Sequence, residues 1–217
     1  MYATLLKVIP LDFAATLSPV IFALALFLLG SKNRPKTRTF YFFLGSLIAG
    51  GSITWLGAQF GGILTLGAAQ TKASSVVDLV IGLACFGFGI GALLLPEMKN
   101  SGVTKMKGKW LLVWLVVGFV MNITNLDAVF LIFTAAREVG AAAITEAQQL
   151  ILLSINVIFY TLPVLLPLLV YLIIPQTAGR ALGSMDKFMV KYSKYIMFAL
   201  FLTFGIYFLW RGLAFFV

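Results

Sequence analysis

The chain of 217 residues has no histidine, a single cysteine, Cys85, and only 11% charged residues. Zinc sites draw on several Cys or His ligands, so a zinc centre is not expected. A Ser-His-Asp or Cys-His nucleophile cannot be assembled without histidine, and a thiol–disulfide conduit needs a pair of cysteines. We therefore expect no enzyme activity, no metal site and no cofactor.

Apolar residues dominate what the chain does contain. Hydrophobic residues make up 61% of the sequence, and the mean hydropathy is +1.05. A soluble domain is nearer to roughly 45–50% apolar and about 25% charged, so an ordinary soluble enzyme and a disordered chain are excluded. The net charge of +9 does not indicate a nucleic-acid partner, because the basic residues form short clusters between long apolar runs, as they do in membrane proteins.

Six apolar runs, separated by polar or charged breaks, predict an all-α integral membrane protein with six transmembrane helices. The predicted spans are Val8–Leu29, Thr39–Gly61, Ser75–Leu95, Trp110–Thr134, Gln148–Ile174 and Lys194–Phe216. Residues 1–217 then form one membrane domain. Its halves cover about residues 1–98 and 110–217, with a basic cytoplasmic linker between them.

The basic residues alternate from one side of the predicted membrane to the other. Three loops hold most of them: Lys32, Arg34, Lys36 and Arg38; Lys99, Lys105, Lys107 and Lys109; and Arg180, Lys187, Lys191 and Lys194. Because basic loops stay in the cytoplasm, this asymmetry predicts a multi-pass plasma-membrane protein with both termini outside. Anionic lipid headgroups at the cytoplasmic face are the expected partners of these loops.

Polar residues inside a span indicate function, because hydrocarbon cannot satisfy them. The first span holds Asp12, Ser18 and Pro19, and the proline frees a carbonyl near the bilayer centre. The fourth span holds Asn122 and Asn125 within its least lipid-compatible segment. Each pattern predicts an interrupted helix beside a hydrophilic pocket. A simple proline kink and a hydrogen-bond cluster that only holds helices together are the structural alternatives.

The fifth span carries its polar and kinking residues on one face. They are Asn156, Tyr160, Pro163, Pro167 and Tyr171, at helical spacing. With leucine and isoleucine on the other faces, this stripe is expected to point into the protein, either towards a site or as ordinary kinked packing.

Small residues in the second and third spans predict close helix contacts. They are Gly45, Gly50 and Gly51 in the second span and Gly82, Cys85 and Gly89 in the third. These faces permit a homodimer but equally suit packing within one chain. Asp78 shares the third-span face and lies either in the outer headgroup region or within the membrane.

Three spans per half is an odd number, so the two halves run in opposite directions across the membrane. Each half opens with an interrupted span, at Ser18-Pro19 and at Asn122–Asn125. Interrupted spans in matching positions of two inverted halves indicate a transporter site. The sequence therefore predicts a 3+3 inverted repeat around a polar midplane site.

These motifs together resemble the lysine-exporter (LysE) superfamily, and within it the GAP or Sap-type proteins associated with moving peptidoglycolipids and sulfolipids to the cell surface. The residues that carry the resemblance are Leu17-Ser18-Pro19, Leu44-Gly45 with Gly50-Gly51, Asn122-Ile123-Thr124-Asn125-Leu126 and the run from Leu162-Pro163 to Pro167. Ile123-Thr124 replaces that family's Pro-Lys, which removes a midplane cation and implies a different substrate if that lysine acts on substrate or coupling.

The first hypothesis is a small secondary transporter, an exporter or flippase for an amphipathic lipid or glycolipid, coupled to protons. The expected substrate-binding residues are Ser18, Pro19, Asn122, Asn125, Asn156 and Tyr160. With no histidine in the chain, a carboxylate is the natural proton carrier, and the expected carriers are Asp12, Asp127 and Asp78.

Two alternatives stay open. The protein could export an amino acid or another small solute, although the predicted spans hold no interior cation for a substrate carboxylate. It could instead be a non-transporting membrane scaffold for lipid or envelope assembly, in which the midplane polar residues only join helices.

Overall fold

A computed structural model describes residues 2–31, 34–64, 72–94, 111–174 and 178–214 of the chain. Within these ranges the secondary structure is helical and contains no strand, which confirms the predicted all-α class. The helices are α1 (Tyr2–Thr16), α2 (Pro19–Leu29), α3 (Pro35–Leu64), α4 (Lys72–Leu94), α5 (Leu111–Ile123), α6 (Leu126–Gly140), α7 (Glu146–Ile173) and α8 (Ala178–Leu213). The predicted linker, with Lys99, Lys105, Lys107 and Lys109, lies outside the described residues, as does Lys32.

Two of the helices, α3 and α7, are long and apolar enough to cross a membrane. The bent pairs α1–α2 and α5–α6, with bends of 51° and 75°, raise the number of candidate spans to four when each pair counts as one. The shorter apolar stretches Ser75–Gly91 and Phe198–Leu213 lie in α4 and α8. The described residues thus form an apolar helical membrane protein, and the count of six spans stays a prediction.

Both predicted interruptions are confirmed at the predicted residues. The first break separates Thr16 from Pro19, and proline suits the first turn of α2 because the amide it lacks has no partner there. The second break separates Ile123 from Leu126. By contrast, α7 continues through Pro163 and Pro167, both of which are buried.

Close backbone contacts hold α3 against the second broken pair. A Cβ atom at Gly45 would overlap the backbone of α5 at Leu115, and one at Gly140 would overlap the carbonyl of Ala58. Gly50 packs on the ring of Tyr160. The expectation of close packing is wrong for Gly51, which has nothing within 4 Å of the position of a Cβ, because adjacent residues point to different sides of a helix.

A second set of close contacts joins α4 to α8. Gly82 packs against Leu209 and Gly89 against Phe201, as expected for the small residues of the third span. The rings of Phe88 and Phe201 stack with centroids 5.7 Å apart, and Phe88 also contacts Phe130 of α6 at 5.2 Å. This aromatic cluster connects the α4–α8 pair to the rest of the bundle.

The contacts between side chains fix the relative directions of the helices. Helices α1, α2, α4 and α7 run one way, and α3, α5, α6 and α8 run the other way. Pairs of contacts set these directions. For α1 against α6 they are Lys7–Glu138 and Ser18–Asn125, and for α1 and α2 along α7 they are Asp12–Asn156 and Leu29–Leu168. For α3 they are Phe42–Gly118 and Gly57–Ala136 along α5 and α6, and Gly50–Tyr160 and Thr54–Asn156 against α7. For α6 they are Asp78–Arg137 and Phe88–Phe130 against α4, and Phe130–Phe201 and Glu138–Arg211 along α8.

Candidate functional site

The two helix breaks meet in the interior of the protein. Asn125, the residue before α6, donates a hydrogen bond from Nδ2 to Ser18 Oγ over 3.0 Å. The same serine hydroxyl caps α2 by accepting from the backbone amide of Ile21 at 3.5 Å. Asn125 makes no side-chain bond to its own helix. Its side chain therefore connects the two broken spans, while the Ser18 hydroxyl also satisfies α2.

The second break leaves a backbone carbonyl that other helices satisfy. The carbonyl of Asn122 accepts from the Tyr160 hydroxyl at 2.8 Å and from the amide of Asn125 at 3.2 Å. The Asn122 side chain donates to Ser46 Oγ at 2.7 Å and to the carbonyl of Gly118 at 2.8 Å. Residues of α3, α5 and α7 thus converge on one asparagine.

Asp12 lies beside this region on α1 and is 0% exposed. Its Oδ1 accepts a hydrogen bond from Asn156 Nδ2 at 2.7 Å, and the side-chain carbonyl of Asn156 accepts from the Thr54 hydroxyl. The second carboxylate oxygen, Oδ2, is buried and finds no hydrogen-bond donor among the described residues. Nor does any described Lys or Arg nitrogen lie within 4.0 Å of Asp12. This carboxyl group is thus buried without a cationic partner.

We call the residues at the two breaks, together with the hydrogen-bonded chain from Asp12 through Asn156 to Thr54, the central polar cluster. Its members are Asp12, Ser18, Ser46, Thr54, Asn122, Asn125, Asn156 and Tyr160. Most of them are buried, and they bond to one another across helices rather than only to their own backbone. The predicted polar interior is therefore present, and hydrogen bonds between helices hold its side chains. The hydrophilic pocket beside it stays a prediction.

A second polar group lies towards the end of the molecule where α1 and α4 begin and where α6 and α8 end. Arg137 Nη1 contacts Asp78 Oδ1 at 2.7 Å, and Arg211 Nε contacts Asp78 Oδ2 at 2.9 Å. Arg211 also binds both oxygens of Glu138, at 2.8 and 2.9 Å, and Lys7 lies 3.9 Å from Glu138. We call these five residues the charge cluster.

Six of the nine predicted site residues belong to the central polar cluster. Ser18, Asn122, Asn125, Asn156 and Tyr160 are brought together, and Asp12 joins them through Asn156. Pro19 is half-buried at the start of α2. The roles assigned to these residues stay predictions.

The other two predicted proton carriers lie elsewhere. Asp127 is half-buried in the first turn of α6, where a carboxylate is favoured by the positive end of the helix dipole. Asp78 belongs to the charge cluster and is completely buried between two arginines. Its depth in the membrane stays a prediction.

Several polar residues of these clusters were not predicted from the sequence. Arg137 is a buried cation that was not predicted: it lies in α6, beyond the predicted end of the fourth span at Thr134, and is 1% exposed. Ser46 and Thr54 were also missed, although their spacing with Gly50 places all three on one face of α3. That spacing is the signal that identified the stripe of the fifth span. In the described ranges no three Asp, Glu or Cys side chains come close enough to hold a metal ion.

This geometry defines a class of protein. It is a helical membrane protein whose two broken spans meet at asparagine side chains in its interior. The family model for Sap, the sulfolipid-1-addressing protein, matches residues 8–214, so the chain belongs to the Sap family. No curated protein and no solved structure matches the chain.

Proposed function

We propose that the protein is a small secondary transporter, an exporter or flippase for an amphipathic lipid or glycolipid, and that it is not an enzyme. The description of its family names a sulfolipid-addressing protein, which supports a lipid-type substrate. The observation that carries the proposal is the hydrogen bond between Asn125 and Ser18, because it places the two interrupted helices at one shared site.

The helix directions support six spans arranged as an inverted repeat. With each bent pair counted as one span, successive spans alternate in direction along the chain, as six membrane crossings in series require. The packing is also paired between the halves: α3 lies along α5 and α6, α7 lies along α1 and α2, and α4 packs on α8. A relation of this kind between halves is typical of carriers that rock one repeat against the other.

Charge balance favours Asp12 as the proton carrier over Asp78 and Asp127. Asp78 is neutralised by Arg137 and Arg211, whereas Asp12 is fully buried with a single amide partner in the described structure. An uncompensated carboxylate in a low-dielectric interior is strongly unfavourable. Asp12 is therefore proposed to carry an exchangeable proton beside the central polar cluster.

The sidedness follows from the positive-inside rule. Arg34, Lys36 and Arg38 lie where α3 begins, at the end of the bundle opposite the charge cluster. Lys36 stacks over the ring of Tyr171 and Arg38 over that of Trp114, with cation-to-centroid distances of 6.0 and 5.7 Å. We propose that this end faces the cytoplasm of a plasma-membrane protein and contacts anionic headgroups.

Three wider expectations belong to the same proposal. Both chain termini lie outside, the protein has no nucleic-acid partner, and it belongs to the lysine-exporter superfamily through the Sap family. Gly45, Gly50, Gly82 and Gly89 pack between helices of one chain, so a homodimer would use surfaces other than these.

Lipid transfer in liposomes tests the proposal. The purified chain would be reconstituted with a fluorescent sulfated glycolipid, and reduction of the fluorophore from outside would report its movement under an imposed pH gradient. Asn125→Ala removes the link between the breaks and should lower the transfer rate about tenfold or more, the effect of losing about 1.4 kcal/mol or more.

Thr124→Val is the matched control, because Thr124 is exposed and its hydroxyl bonds only to backbone carbonyls of its own helix. It should transfer lipid at the rate of the unaltered protein. Absence of transfer by the unaltered protein, or loss of folding in Asn122→Ala and Asn125→Ala without any folded but inactive protein, would favour the scaffold alternative. Uptake of labelled amino acids into inverted vesicles would favour the small-solute alternative.

A further inference from the structure

The charge cluster connects the two halves of the protein at a single end. Lys7 and Asp78 come from α1 and α4 of the first half, and Arg137, Glu138 and Arg211 come from α6 and α8 of the second. Four ion pairs in this cluster join different helices, and three of them, Lys7–Glu138, Asp78–Arg137 and Asp78–Arg211, cross from one half to the other. The fourth, between Glu138 and Arg211, joins α6 to α8 within the second half. No such cross-half ion pair is found between the described residues of the opposite end.

Along the bundle, the charge cluster lies between Asp12 and the end of the molecule where α1 begins. Lys7 precedes Asp12 by five residues on α1, which is about 7.5 Å of helix rise. On α6, Glu138 follows Ile132 by six residues, about 9 Å, and the carbonyl of Ile132 lies 3.4 Å from Asn156 Nδ2. The ion pairs therefore lie between the central polar cluster and this end of the molecule.

The exposure of the five side chains decreases towards the interior. The Lys7 side chain is 46% exposed and that of Arg211 25%, whereas the side chains of Arg137 and Asp78 are 2% and 0% exposed. Water can therefore reach the outer members, which could separate and become hydrated without first unfolding a helix.

We propose that the charge cluster is a gate that closes this end of the transport path. The proposal rests on the transport function proposed above. Opening towards this end requires the first-half helices α1 and α4 to separate from the second-half helices α6 and α8. This separation breaks the bonds of Arg137 and Arg211 to Asp78 and of Lys7 to Glu138. The structure then shows the state in which this gate is closed.

Cysteine labelling in lipid nanodiscs tests the gate directly, because a charged maleimide reaches both ends of the protein there. Cys85 is the single cysteine, so Cys85→Ala gives a background without thiols. Val8→Cys places a reporter next to Lys7 at a fully buried position of α1, and Thr39→Cys places one at a fully buried position of α3 near the opposite end.

Glu138→Gln removes the Lys7 pair that crosses the halves, and it also removes the carboxylate that holds Arg211 in position to contact Asp78. We expect it to raise the labelling rate at Val8→Cys about tenfold, by shifting the population towards the open gate, and to leave the rate at Thr39→Cys unchanged. Glu146→Gln is the matched control, since Glu146 is exposed in the first turn of α7 at the same end of the bundle. It should change neither rate.

An unchanged rate at Val8→Cys in folded Glu138→Gln protein would overturn the gate, and so would an equal rise at both reporters, which means general loosening. If Glu138→Gln does not fold, Arg211→Lys carries the test, because it keeps the charge and loses the two-point contact. We expect it to raise labelling at Val8→Cys about threefold, and no rise would overturn the proposal. The labelling needs no substrate, so its outcome is separate from that of lipid transfer.

Discussion

Two aspartates in this protein are equally buried and differ completely in their electrostatic surroundings. Asp78 is 0% exposed on α4, and each of its oxygens contacts an arginine, at 2.7 and 2.9 Å. Asp12 is also 0% exposed, on α1, but one oxygen accepts from the Asn156 amide and the other has no donor among the described residues.

The difference separates two uses of a buried carboxylate. Removing one partner of a buried ion pair is strongly destabilising, because it leaves the other charge uncompensated. Asp78 therefore contributes to the stability of the charge cluster. Asp12 forms no ion pair with a described residue. Replacing it by a neutral residue should therefore change the free energy of unfolding little, while removing any function that depends on its ionisation. The following substitutions test this contrast.

The largest expected effect on stability is that of Asp78→Asn, which leaves Arg137 and Arg211 facing a neutral amide. We expect the free energy of unfolding to fall by about 3–5 kcal/mol. Thermal unfolding of the purified chain in detergent would show this as a lower midpoint. A midpoint equal to that of the unaltered protein would mean that these ion pairs are not formed.

Asp12→Asn should show the opposite pattern to Asp78→Asn, with a small change in stability and a large loss of function. We expect a free energy of unfolding within about 1 kcal/mol of the original, because only a neutral hydrogen bond to Asn156 is changed. Lipid transfer driven by a pH gradient should be lost. A destabilisation as large as that of Asp78→Asn would contradict the contrast, since it would show that Asp12 is held as an ion.

Thr54→Val should have an intermediate effect on stability. It removes the hydroxyl that donates to Asn156, leaving a buried amide carbonyl without that donor, at a cost of about 1–3 kcal/mol. Ser52→Ala is the control, because Ser52 is exposed on the same helix and bonds only to the carbonyl of Ile48. Equal unfolding midpoints for the two variants would remove Thr54 from the network around Asp12.

The smallest effect is expected from Lys7→Gln. The Lys7 amine is 3.9 Å from Glu138 and its side chain is 46% exposed, so solvent screens the pair and its contribution is about 0–1 kcal/mol. Unfolding in detergent at low and high salt would measure it. A loss comparable to that of Asp78→Asn would place Lys7 among the essential members of the charge cluster.

The sequence predicted the helix breaks well, because the cause is local at each of them. Pro19 cannot donate a backbone hydrogen bond, and lipid cannot form hydrogen bonds with the side-chain amides of Asn122 and Asn125. The inward stripe of α7 was predicted for the same reason, since helical spacing alone sets which residues share a face.

The charge cluster could not be predicted, because its members are neutralised by residues far away in the chain. Hydropathy ended the fourth span at Thr134, yet α6 continues to Gly140 and buries Arg137, whose partner Asp78 lies on α4. Ser46 was hidden for another reason. A single hydroxyl in an apolar helix can bond to its own backbone, as Ser46 does to Phe42, so its contact with Asn122 leaves little trace in the sequence.

The protonation state of Asp12 tests the central claim most directly. Infrared difference spectra of the purified full chain, recorded against Asp12→Asn, isolate the carbonyl band of a protonated carboxylic acid. We predict such a band near neutral pH, shifted in deuterium oxide and absent from Asp12→Asn. A spectrum in which Asp12 contributes only carboxylate bands would show that the residue is ionised, and would contradict its assignment as the carrier of an exchangeable proton.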